Sequence, residues 1–234
     1  MPFKYVVLCL IVLSGMVFAI RTHKLTPWAA FVGGIVGLAV FIGAGFTGVS
    51  MLTAFFMMGS AATMWQKSLK EDMKLVERAD ATRRTSQVLA NAGVAALMGV
   101  LAYALPAHAS VFQLMMAGAL ASATSDTLSS ELGMVYGSGA YNILTFKRDK
   151  KGMDGVVSVE GTLIGAWGGA IIATIYVIGF GNNYALVTII VAATVGNLAD
   201  SVLGATLERK GIIGNNIVNF LSTGAASLIV LLLN

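Results

Sequence analysis

The sequence predicts an all-α, polytopic transmembrane helix bundle of about eight helices, and three observations carry that expectation. The chain is 57% hydrophobic and 11% charged, against roughly a quarter charged in soluble domains. Its 234 residues divide into eight apolar stretches close to the length needed to cross a hydrocarbon core, about 20 residues each. Fourteen of its fifteen Lys and Arg residues fall in every second gap between those stretches, Lys4 being the exception.

The first stretch, 4–20, reads as a retained helix rather than a cleaved signal peptide. Arg21 and Lys24 follow it, and no small-residue cleavage site lies behind it. Helices at 27–44 and 48–66 follow, separated by a gap without Lys or Arg. A basic connector holds Lys67, Lys70, Lys74, Arg78, Arg83 and Arg84, and probing further along the chain gives helices at 86–105 and 109–133. Lys147, Arg148, Lys150 and Lys151 fill the next basic gap, before helices at 159–180 and 184–206. Arg209 and Lys210 precede the last helix, 215–233. Basic loops stay in the cytoplasm, so both termini are expected outside. The net charge of +4 expresses this bias and does not point to a nucleic-acid partner. Cys9 is the single cysteine and lies in the first apolar stretch, so no thiol metal site is expected.

The chain reads as one integral-membrane domain, 1–234. Gln87 and Asn91 echo Asn215 and Asn219, amides four apart at the start of a helix, which suggests parallel repeats over 1–105 and 109–234. An apolar exterior also leaves room for a homo-oligomer.

Polar side chains within spans are costly and mark functional sites. With this topology they collect at the cytoplasmic ends of five helices. Gln87 and Asn91 open one helix; Ser122, Asp126, Ser129 and Glu131 close the next; Glu160 opens another. Asn197 and Asp200 lie near the inner end of the seventh, and Asn215, Asn216 and Asn219 start the eighth. A cytoplasm-facing polar cavity follows. Arg84, Gln87 and Asn91 fit an i, i+3, i+7 face. The fifth helix is polar on more than one side near its inner end, so protein should surround it there. Gly161, Gly165 and Gly169, like Gly33 and Gly37, recur every fourth residue and read as close-packing seams. Asp126, Glu131 and Asp200 have no basic residue inside the spans to pair with. A divalent cation, or basic loops folding over the cavity, would balance them. The Gly-rich basic segment 134–158, with Lys147, could cradle phosphate.

Several strings in order resemble one known family. They are Gln87-Val-Leu-Ala-Asn91-Ala-Gly93, Ser125-Asp-Thr-Leu-Ser-Ser-Glu-Leu-Gly133, Leu144-Thr-Phe-Lys147, the run from Gly152 to Thr162, Asp200-Ser-Val-Leu-Gly-Ala205 and Asn215-Asn-Ile-Val-Asn219. Together they resemble the integral-membrane family of unknown function 92, which includes transmembrane protein 19 and phytyl-phosphate kinases. Gly152-Met-Asp-Gly155-Val departs from the Gly-Thr-Asp/Ser-Gly-Gly usual there. The resemblance implies phosphorylation of an isoprenoid-alcohol monophosphate, phytyl or polyprenyl, to its diphosphate, with Mg²⁺ and a nucleoside triphosphate, CTP or ATP. On that expectation Asp126, Asp200 and Glu131 hold the metal and Asn91 joins them in catalysis. Arg84, Gln87, Lys67, Lys147, Ser122, Ser129, Asn197, Asn216 and Asn219 bind substrate and phosphate. The alternative is a transporter or flippase of a phosphorylated lipid or small anion, which repeats and Gly-rich helices also suit.

Overall fold

The computed structural model describes residues 3–73 and 82–233. Helix α1 (Phe3–Arg21) leads into α2 (Pro27–Met64). Thr26 caps α2 by accepting from the Ala29 N–H at 3.2 Å, and Pro27 takes the first turn, where a missing donor costs nothing. The helix reverses at Gly45, whose φ of 59° and ψ of −150° are open only to glycine. A Cβ on Gly37 would meet Leu52 at 3.9 Å. In an unbroken helix those residues would stand about 22 Å apart. The two spans expected at 27–44 and 48–66 are therefore a helical hairpin.

The third span ends where the charged connector begins. Trp65 is extended, Gln66 has φ 44°, and a separate short helix, α3 (Lys67–Met73), begins. The cause is local. Lys70 is buried, and its ammonium reaches back to the Ala62 carbonyl at 2.8 Å and that of Thr63 at 2.9 Å, closing the end of α2. The middle of the connector, 74–81, lies outside the described residues.

Helix α4 (Thr85–Ala104) is followed by α5 (Ala109–Tyr136), α6 (Val159–Phe180), α7 (Ala185–Leu203) and α8 (Asn215–Leu233). Six helices among the described residues are long and apolar enough to cross a membrane, α2 counted once. Helix α5 is outside that set, although its 28 residues give ample length. Its polar inner third lowers its apolarity, and protein makes up for it. Twelve consecutive residues from Leu114 to Ser125 are buried, and α2, α4, α6, α7 and α8 all pack on this helix. The enclosure is complete in the middle of the helix and not at its polar inner end, where residues 126–136 are mostly half-buried because the cavity opens there.

Lipid tails are as apolar as leucine, so close packing and hydrogen bonds hold such helices together. Helix α6 approaches α5 through glycines spaced four apart. A Cβ on Gly161 would lie 2.9 Å from the Ser129 carbonyl oxygen, and one on Gly165 2.7 Å from that of Ser125. Gly169 faces Ala193 of α7 in the same way, at 2.9 Å. Gly33 and Gly37 differ: their nearest atoms stand at 3.9 Å, so they are no tight seam. Gly43 and Gly99 take that role, their backbones touching where α2 crosses α4. Gly165→Leu is accordingly expected to lower the melting temperature sharply, by the equivalent of about 1–3 kcal/mol or more. Gly33→Leu should leave it nearly unchanged, and thermal melts of both in detergent check this.

The four basic gaps meet at one end of the bundle. The Arg83 N–H donates to the Lys24 carbonyl at 3.0 Å and the Thr26 N–H to the Arg83 carbonyl at 3.2 Å, stitching the first gap to the second. Arg209 pairs with Asp149 at 2.8 Å, joining the fourth to the third. The Lys150 backbone N–H, and after it the Arg209 guanidinium, hold the Asp149 carboxyl below its ordinary value. The tie therefore persists at neutral pH and is lost only as pH falls through that lowered value. Segment 137–158 forms a small hairpin, β1 (Tyr141–Asn142) antiparallel to β2 (Val156–Val157). Gly155, at φ 73°, lets it seat on Ala205, where α7 widens into a π-helical turn, Gly204–Glu208.

Candidate functional site

A cavity of about 850 Å³ opens at this basic end, between the inner ends of α2, α4, α5, α7 and α8 and the hairpin. Two kinds of wall face each other across it.

The acidic wall is built on α5 and α7. Asp126 and, on the hairpin turn, Asp154 are both near enough for their charges to act on Asp200. Two carboxylates this close require a proton or a cation between them. Helix α8 supplies donors: Ser222 Oγ donates to Asp200 Oδ2 at 3.1 Å. The Asn219 amide lies 3.2 Å from Asn91 Oδ1 and 3.1 Å from Asp200 Oδ2. A carboxylate only accepts, so the Asn219 NH₂ belongs on Asp200. The Asn219 oxygen then faces Asn91 at 3.2 Å, so the Asn91 NH₂ belongs on Asn219 rather than on the Gln87 carbonyl. Asn197 is buried one turn before Asp200.

The basic wall is built from α3 and the segment before α4. Lys67, Lys70, Arg83 and Arg84 line it, with Lys151 reaching in from the hairpin and donating to the Gly137 carbonyl. Glu131 belongs to this wall and not to the aspartate pair. Its Oε2 is 2.7 Å from the buried Lys70 Nζ. Basic loop residues do fold inward, and one of them supplies the counter-charge for Glu131. The Arg83 side chain is half-buried, and its guanidinium stands 5.8 Å over the Phe55 ring. Burial pushes its pKa below the ordinary value while the Glu131 charge works the other way, and at neutral pH it stays protonated. Lys24 is lowered too, first by burial and then by the nearby Arg83 and Lys67 charges.

Of the residues singled out in the sequence, Asp126, Asp200, Glu131, Asn91, Gln87, Ser129, Asn197, Asn216, Asn219, Arg84 and Lys67 all line the cavity. Ser122 and Lys147 do not. Ser122 is fully buried against Gly196 of α7, one turn deeper than Asp126, and its hydroxyl serves the helix contact. Lys147 is exposed on the far side of the hairpin, and Lys151 holds the inward position. Arg84 shares the cavity with Gln87 but not by helical periodicity. It is the N-cap of α4, with extended φ −91° and ψ 166°, and its N–H donates to Gln87 Oε1 at 2.8 Å. Arg83, which the sequence places beside the cavity face of Gln87 and Asn91, lines the cavity as expected, whereas Lys70 and Asp154 escape sequence reasoning because their inward aim depends on a helix break and a hairpin turn. Among the described residues no group of three or more His, Cys, Asp or Glu is arranged to hold a metal ion. Asp126 and Asp200 are the pair that could hold one with ligands from elsewhere.

A helical bundle enclosing one polar cavity at its basic end defines a polytopic integral membrane protein. The chain belongs to the family described as integral membrane protein DUF92, matched over residues 10–227. It is 34% identical to an uncharacterized membrane protein of Synechocystis over 217 residues, 89% of this chain and 83% of that one. An uncharacterized membrane protein of Methanocaldococcus jannaschii is 33% identical over 204 residues, 85% of this chain and 81% of that one. Protein VTE6, chloroplastic, of Arabidopsis thaliana is 28% identical over 217 residues, 88% of this chain and 63% of that one. No solved structure matches the chain.

Proposed function

We propose that the protein is a membrane kinase that phosphorylates an isoprenoid-alcohol monophosphate to its diphosphate, using a nucleoside triphosphate and Mg²⁺. One observation carries this: a carboxylate pair and a cluster of cations face each other across one cavity. Phosphoryl transfer needs that opposition, because crowded anionic oxygens must be neutralised while two reactants are aligned. The resemblance to a family that includes phytyl-phosphate kinases supports the substrate class, and membership of the DUF92 family supports the resemblance.

In this reading an oxygen of the acceptor phosphate attacks the terminal phosphorus of the nucleotide. The bond to the bridging oxygen breaks, and the nucleoside diphosphate leaves with those electrons. The acceptor is already ionised at neutral pH, so the site needs no strong general base. Mg²⁺ held by Asp126 and Asp200 would neutralise phosphate oxygens. It is commonly bound by one or two carboxylates, with phosphate and water completing the shell, so a two-carboxylate site suits it. Asn219 and Ser222 orient Asp200, Asn91 steadies Asn219, and Arg84, Lys67 and Lys151 offer charge to the phosphates. The positive-inside rule turns the basic end, and the cavity, toward the cytoplasm, with both termini opposite. The lipid tail would lie along the apolar helix faces.

Transport needs a path to the other side. Beyond Asp126 the fully buried Ser122 and Leu120 fill the way, which favours a one-sided site. The test is purified protein with phytyl or geranylgeranyl monophosphate, Mg²⁺ and each of CTP, ATP, GTP and UTP, read by mass spectrometry. Diphosphate from at least one nucleotide is expected. No turnover with any of them, together with passage of the lipid phosphate across reconstituted bilayers, would replace the kinase by a carrier.

A further inference from the structure

Arg83 is the residue whose environment the account so far leaves unexplained. Its backbone is held on both sides, by the Lys24 carbonyl and the Thr26 N–H, so its side chain leaves from a fixed point. The guanidinium lies in a slot between the returning span of α2 and α5. A Cβ on Gly59, the floor of that slot, would lie 2.8 Å from Arg83 Nη2 and 3.3 Å from Thr127 Cγ2. The Phe55 ring packs beside it. From this slot the side chain borders the cavity, and it makes no hydrogen bond to any described residue.

Its neighbours do not satisfy it. Lys24 and Lys67 add like charge. Glu131 is the one carboxylate among the described residues whose charge reaches Arg83, and it sits in contact with Lys70 at 2.7 Å. A half-buried cation among cationic neighbours, with its donors open to the cavity, is a ready partner for an anion. The fork of a guanidinium matches phosphate oxygens two at a time. Helix α4 starts two residues on, and the positive end of its dipole lies on the same wall.

We propose that Arg83, seated on Gly59 and Phe55, is a metal-independent anchor for a phosphate monoester, on the wall opposite Asp126 and Asp200. The cavity then has two poles. The aspartates take polyphosphate through Mg²⁺, and Arg83 takes the monophosphate of the acceptor lipid directly. Only the identity of the acceptor rests on the kinase reading; the anchor itself rests on the slot.

The test is equilibrium binding of geranylgeranyl monophosphate to the full chain in detergent with EDTA present. Geranylgeraniol and inorganic phosphate are run separately, to tell recognition of the lipid from recognition of phosphate alone. Wild type should bind the monophosphate without Mg²⁺. Arg83→Gln should weaken binding at least about tenfold. Gly59→Ala keeps the arginine but fills its slot, so it should weaken binding too, and it carries the test where Arg83→Gln does not fold. Asp126→Asn should bind as wild type does under EDTA. Binding that needs Mg²⁺, or that is unchanged in both Arg83→Gln and Gly59→Ala, overturns the anchor. If the EDTA pattern appears and no nucleotide yields diphosphate, the kinase reading falls and the anchor stands. If diphosphate forms while both variants bind normally, the anchor falls and the kinase stands.

Discussion

Asp200→Asn should abolish phosphoryl transfer while making the protein more stable. Asp200 is half-buried between α7 and α8 and lies within reach of the Asp126 and Asp154 charges. Without a bound cation this crowding of carboxylates works against the folded state. An amide of the same shape removes one charge and keeps an oxygen to accept from Ser222, now at 3.1 Å. Relief of about 1 kcal/mol would raise the melting temperature by about 2–4 °C for a chain of this size. Turnover should fall by about 10²–10³ or more, as when a group aimed at transition-state charge is removed. The two effects have opposite sign, and that is the informative part. A carboxylate kept only for packing would lose stability and activity together. Thermal melts and turnover on the same preparation of Asp200→Asn check it, with Asp126→Asn as its companion.

The second large effect concerns the other wall. Lys70 spends all three of its donors: on the Ala62 and Thr63 carbonyls at 2.8 and 2.9 Å, and on Glu131 at 2.7 Å. Its side chain is 3% exposed and that of Glu131 17%. Lys70→Met leaves an enclosed carboxylate without its partner and two carbonyls at the end of α2 without a donor. Loss of one member of such a pair costs about 3–5 kcal/mol. The double variant Lys70→Met, Glu131→Gln should recover part of that loss, because the stranded charge is gone. Glu131→Gln alone should lower stability more than turnover. A double-mutant cycle on unfolding, with activity measured alongside, separates this pairing from a metal-ligand role for Glu131.

The sequence made the bundle legible for physical reasons that extend to its site. Alternating basic gaps mark the two ends of the helices, and polar residues at one depth mark the cavity, because hydrocarbon penalises both anywhere else. Helical spacing brought Asp126, Asp200, Asn91 and Asn219 to one place, and the many-sided polarity of α5 marked the end that borders the cavity, while its enclosure lies deeper, from Leu114 to Ser125. What escaped depends on breaks in periodicity. Lys70 points inward because the helix stops at Trp65 and restarts, and Asp154 because a hairpin turn carries it. Lys147 and Lys151 are four apart, but both lie on the non-helical connection between β1 and β2, and only Lys151 lines the cavity. Ser122 shares a face with Asp126 yet lies one turn too deep, and Gly43, an unremarked glycine, makes the contact expected of Gly37. Periodicity locates residues on helices; it does not say how caps, breaks and turns aim them.

The central claim is that one cavity transfers a terminal phosphoryl group to a lipid phosphate. It is tested most directly with nucleotide carrying ¹⁸O on its γ-phosphoryl oxygens, incubated with purified protein, Mg²⁺ and geranylgeranyl monophosphate. The account predicts isoprenoid diphosphate whose terminal phosphoryl carries the label, formed by the wild type and lost in Asp126→Asn. Label found only in free inorganic phosphate, or labelled diphosphate formed equally by Asp126→Asn, would contradict it.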